Sequence, residues 1–60
     1  MWAEVTGMRD KKILVNFDNV VRIEPAEQDR WNLFFVDRMM KPLKIKATLA
    51  KLNGLLSVRN

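Results

Sequence analysis

Apolar and polar residues alternate with a period of two over most of this chain, and the spacing lengthens to three and four only near its end. A period of two is the signature of a strand with one covered face. Trp2 to Met8 reads as a first strand, and Gly7-Met8-Arg9-Asp10 as the turn that ends it. Lys11 to Phe17 follows with Ile13, Val15 and Phe17 on one face, so the two segments form a hairpin. Asp18-Asn19 redirects the chain, because short polar side chains bond to their own backbone in turns. Val20 to Glu24 then alternates again, with Val21 and Ile23 opposite Val20, Arg22 and Glu24. Pro25 closes this third strand, since it lacks an N–H and disfavours helix in the residue before it; Pro25 to Asp29 is a polar loop.

The fourth strand, Arg30 to Asp37, is the most apolar stretch. Trp31, Leu33 and Phe35 share one face, Asn32, Phe34 and Val36 the other. A thin sheet has a core on one side only, so the second apolar face must meet a helix or another subunit. Asp37 to Lys41 is expected to be a turn, and Pro42 to Ala47 a fifth strand with Leu43, Ile45 and Ala47 inward and Lys44 and Lys46 outward. Helical spacing begins at Leu49 and continues through Leu52, Leu55 and Leu56, behind Thr48 as N-cap. Gly54 weakens this helix by about 1 kcal/mol relative to alanine, so it is short and depends on tertiary packing. The expected fold is mainly β: a single small domain over residues 1–60, a small antiparallel sheet or partly open barrel of four to five strands with a short C-terminal helix.

Length and composition add one constraint. Sixty residues are close to the lower limit for a self-sufficient core, and the chain has no Cys or His for a disulfide or the usual zinc sites. Self-association or a partner is the remaining source of stability. The same deficit argues against catalysis: the commonest general base and the thiol nucleophile are missing, Gly7 and Gly54 are the only glycines, and no phosphate-cradling loop can be built from them. The carboxylates Glu24, Glu27 and Asp29, or Asp10 and Asp18, read as turn formers and solvated charges. The chain is therefore expected to be neither an enzyme nor a cofactor carrier.

Charge is unevenly placed. Residues 1–37 hold five bases and all seven acids, whereas residues 38–60 hold six bases and no acid. Arg38, Lys41, Lys44, Lys46 and Lys51 form a possible polyanion-binding row, with strand neighbours about 7 Å apart. Flexible lysines without interleaved aromatic residues give electrostatic attraction and little sequence discrimination. Trp31, Phe34, Val36, Met39 and Met40 are the expected protein interface, because exposed methionines and a two-faced aromatic strand suit an apolar contact. No apolar run approaches membrane-spanning length, and the start lacks the pattern of a secretory leader, so the expected location is cytoplasmic. These features predict a non-catalytic interaction or adaptor module, a homo-oligomer or the partner of a larger protein; the alternative is a weak electrostatic nucleic-acid-binding regulator.

The segment from Lys12 to Pro25, with Val15-Asn16, Asp18, Val20, Ile23 and Pro25, followed by a hairpin, Leu43 to Lys46 and a helix opening at Thr48-Leu49, resembles the small flagellar FlbD/SwrD-type proteins over nearly the whole chain. That family's glycine-containing second turn is replaced here by Arg38-Met39-Met40-Lys41. The same stretch, with Asp18-Asn19-Val20, Ile23-Glu24, Thr48-Leu49 and Leu52, is also similar to part of LytTR-type DNA-binding domains, whose DNA-contacting portion has no counterpart here. The resemblance implies a sheet with a C-terminal helix and carries over no functional residue.

Overall fold

The computed structural model describes residues 1–57; Arg59, counted above among the bases, lies outside the described residues. Five antiparallel strands form one open sheet, followed by one helix: β1 (Trp2–Gly7), β2 (Lys12–Asn16), β3 (Val20–Pro25), β4 (Arg30–Phe35), β5 (Arg38–Lys46) and α1 (Leu49–Ser57). The strand order is β2-β1-β5-β4-β3, so the two strands at the sheet's edges are consecutive in sequence. A single 3-10 turn, Phe17–Asn19, joins them. So short a link forces the sheet to curl until its edges meet at that corner, and they separate beyond it.

Several strand boundaries differ from the expectation, and two of the differences shape the fold. The second strand stops at Asn16, whose side chain caps the 3-10 turn by accepting the Asp18 N–H at 3.1 Å. Phe17 leaves the ladder and is wholly buried under the corner. Arg38 to Lys41 is strand, not turn: the hairpin reverses at Val36-Asp37, and Phe35 pairs with Arg38. Neither turn residue has a positive φ, so this is not the mirror-image turn that matches strand twist. A register shift between Leu33↔Leu43 and Phe35↔Arg38 absorbs the mismatch and bulges the strand at Met39 to Pro42.

The inner face carries the core. Val5, Val15, Phe17, Val20, Leu33 and Ile45 are buried together, with Trp31, Phe35, Leu43, Leu55 and Leu56 packed against them. Helix α1 supplies the cover. Thr48 caps it, its Oγ1 accepting the Lys51 N–H at 3.1 Å, and Leu52 is its buried residue. The indole N–H of Trp31 donates to the Ala47 carbonyl at 2.9 Å, fixing where β5 hands over to the helix. The sheet's thinnest joint is β1 to β5, paired only at Thr6↔Lys46 and Gly7↔Ile45. From Arg38 to Leu43, β5 therefore has β4 on one side only, which is how Pro42 is accommodated without a ladder N–H to give.

Candidate interaction surface

Of the residues expected to form an interface, the structure brings together three and separates two. Val36 (63% exposed), Met39 (42%) and Met40 (92%) project from the β4–β5 hairpin. Trp31 belongs to the inner face, against the core and bonded to Ala47. Phe34 lies on the outer face but is only 8% exposed. The guanidinium of Arg22, its cross-strand partner, stacks 4.2 Å above its ring and is itself held by Glu24 at 3.0 Å. Both aromatic residues thus serve the chain's own packing, and the inner apolar face of β4 belongs to the core against which Leu55 and Leu56 pack.

The basic row is similarly divided. Lys44 pairs with Glu27 at 3.1 Å and Lys46 with Asp10 at 2.8 Å. The Lys46 hydrogen bond and charge hold the Asp10 carboxyl below the usual carboxylate range. Arg38, Lys41 and Lys51 have no ion pair among the described residues. The carboxylates named above each face a cation or solvent: Glu24 meets Arg22, Glu27 meets Lys44, Asp10 meets Lys46, and Asp18 meets the Met1 ammonium. Among the described residues no group of three or more Asp or Glu side chains converges to hold a metal ion.

A second apolar surface escaped the sequence pattern. Trp2 and Leu14, each 68% exposed, lie on the outer face of the β1–β2 hairpin, diagonal to one another across the pairs Trp2↔Asn16 and Glu4↔Leu14. The available signal was Leu14 itself, a large apolar residue on the solvent side of an alternating strand. Both border a groove of about 620 Å³ between β2 and the β4–β5 hairpin. Ile13, Leu14 and Val15 form one wall; Phe35, Leu43 and Pro42 face them, with Arg38, Lys41 and Asp37 at the same groove. Residues from both faces of β2 line it, so the strand's free edge opens onto the groove.

The direction of that edge's backbone groups follows from the ladder. The Gly7 N–H donates to the Lys11 carbonyl at 2.7 Å, and the Phe17 N–H to the Met1 carbonyl at 2.8 Å. Alternation between these ends puts Ala3↔Val15 and Val5↔Ile13 in mutually bonded pairs. Lys12 and Leu14 therefore turn N–H and C=O away from β1, and Asn16 its N–H, on the side where β2 has no neighbour. The opposite edge is different. The Ala26 N–H donates to the Arg30 carbonyl at 3.0 Å, so Ile23 and Pro25 of β3 point outward; Pro25 offers no N–H, and a register shift between Val20 and Arg22 breaks the line. These are two of the devices by which proteins blunt an edge strand, and β2 has neither.

No family model, curated protein or solved structure matches this chain. No helix among the described residues is long and apolar enough to cross a membrane.

Proposed function

We propose that this chain is a non-catalytic interaction module that works as a homo-oligomer or as an adaptor on a larger protein, using the apolar tip of the β4–β5 hairpin. One observation carries this: Val36, Met39 and Met40 stay exposed on a chain whose core is built elsewhere. Large apolar side chains grouped on the surface of so small a domain add no stability to the monomer and suit a partner's surface. Methionine, unbranched and polarizable, adapts to an irregular contact. A cytoplasmic location belongs to the same proposal and suits a chain that uses no disulfide. Sedimentation at micromolar concentration is the test. A dimer or larger species is expected, and Met40→Asp should return it to a folded monomer whose melting is cooperative, independent of concentration and lower than the parent's only by the lost association, because Met40 makes no part of the core. Lys46→Asp should leave the assembly intact. A protein that is monomeric throughout, or an assembly indifferent to Met40→Asp, refutes the proposal.

Electrostatic binding of nucleic acid ranks second and rests on the unpaired Arg38, Lys41 and Lys51. With Lys44 and Lys46 already neutralised by Glu27 and Asp10, its salt dependence on duplex DNA should be shallow, a log–log slope of roughly −3 or less in magnitude.

A further inference from the structure

We infer that the free edge of β2 is a docking site for one extended peptide segment carrying carboxylates, which adds to the sheet as a sixth strand inside the groove. The inference rests on the chain being an interaction module but requires neither the hairpin tip nor oligomerisation.

The first argument is the contrast between the two edges. Pro25 and the bulge remove β3 from consideration, while β2 presents the backbone groups of Lys12 and Leu14 and the Asn16 N–H in one unbroken line. Lys12–Asn16 spans about 17 Å, enough for five residues of an added strand. Main-chain hydrogen bonds of this kind supply affinity regardless of sequence, and the side chains beside the edge supply selectivity.

The second argument is the shape of the space. The edge faces a groove whose other wall is Phe35, Pro42 and Leu43, so a single extended chain can enter where the flank of a folded sheet would meet that wall. Ile13 and Val15 on the inner side and Trp2 and Leu14 on the outer side give an alternating peptide apolar contacts on both of its faces.

The third argument is charge. Arg38 and Lys41 border the groove without an ion pair among the described residues, and Asp37 is the single acid beside them. Lys12, at the start of the edge, gives its ammonium to the Thr6 hydroxyl at 3.1 Å and not to a carboxylate, and Lys11 precedes it. A carboxylate-bearing segment answers these cations, and a lysine-rich one is repelled. A second copy's β2, opening with Lys11-Lys12, is a poorer match to the same groove.

The test uses the full chain and a fluorescein-labelled heptapeptide, Glu-Val-Glu-Val-Glu-Val-Glu, followed by anisotropy and by amide hydrogen exchange. Saturable binding is expected, with new protection of the Lys12, Leu14 and Asn16 amides. N-methylation of the valines and of the glutamates is tried separately. One set should weaken binding about tenfold or more and the other should be tolerated, because an added strand bonds through one edge only. Replacing the peptide's glutamates by lysines, or introducing Arg38→Glu with Lys41→Glu at these exposed positions, should also cost about tenfold. Met40→Asp should leave peptide affinity unchanged even where it abolishes self-association, so this inference and the hairpin proposal fail separately. Absence of saturable binding, equal effects of the two N-methylated sets, or protection confined to Val36 to Met40 overturns the inference. So does protection of the Lys12, Leu14 and Asn16 amides that rises with protein concentration alone, which would give the edge to a second copy.

Discussion

Gly54→Ala should stabilise the protein, and it measures whether α1 belongs to the folded unit. Gly54 lies within Leu49–Ser57, is exposed, and has an ordinary negative φ. A β-carbon added there meets nothing within 4 Å, so the substitution has no steric cost to offset its benefit. Alanine is favoured over glycine in a helix interior by about 1 kcal/mol, partly because the unfolded chain loses freedom. For a domain of this size about 1 kcal/mol corresponds to a rise of roughly 4–8 °C in Tm. The bond from the Ser57 hydroxyl to the Gly54 carbonyl uses the backbone and survives the change. Thermal melting by circular dichroism and urea unfolding should agree: a higher midpoint at an unchanged m-value. An unmoved midpoint would mean that the helix is not docked in the folded protein, since a nine-residue helix does not persist by itself in water. A lower midpoint would mean that another surface already occupies the space beside Gly54.

Leu52→Ala should cost about 2–4 kcal/mol and lower Tm accordingly, because it empties the buried position of the helix; melting like the parent would show that Leu55 and Leu56 hold α1 without it. Lys46→Met should return the Asp10 carboxyl toward its ordinary value of 3.8, read by an NMR titration of that carboxyl. In the parent the folded value lies below the ordinary one, so the pair's contribution to stability is complete above the ordinary value and fades as pH falls through the lowered one. An Asp10 midpoint that ignores Lys46→Met would deny the ion pair.

Strand β1 and the capped helix were legible because each buries one face, and burial writes a period into the sequence. Strand β4 was legible as an apolar strand, but β3 was misread at its start, where the bulge between Val20 and Arg22 buries Val20 on the same side as Ile23 and leaves Val21, expected beside Ile23, exposed. The first half of β5 was not. Met39, Met40 and Pro42 lie on a bulge with no neighbour on the β1 side, so nothing selects for alternation there. Phe17 looked like the last inward residue of a strand; its inward direction was correct, but the backbone had already left the ladder. Trp31 and Phe34 were readable as lying on opposite faces. That Arg22 would cover Phe34 depended on the register between β3 and β4, which a bulge sets. Lys44 and Lys46 read as part of one basic row because Glu27 and Asp10, their partners, come from loops far away in the chain. The groove at β2 depends on how far the sheet curls, and a three-residue corner decides that.

The narrow joint between β1 and β5 sets the order in which the molecule assembles. The β1–β2 hairpin and the β3–β4–β5 meander each close over short stretches of chain, whereas Thr6 must find Lys46 at a sequence separation of forty residues. Among the described residues, two residue pairs and the exposed Asp10–Lys46 contact are the reward at the ladder itself. The rest comes from Val5 and Val15 joining Leu33 and Ile45 in the core, which happens only as the halves close. Docking of the hairpin onto the meander should therefore be the late, rate-setting event in folding, and substitutions at Val5 or Val15 should slow folding less than they speed unfolding. In the native state the same seam should open first, which amide hydrogen exchange would read as protection on β4 outlasting that on β2.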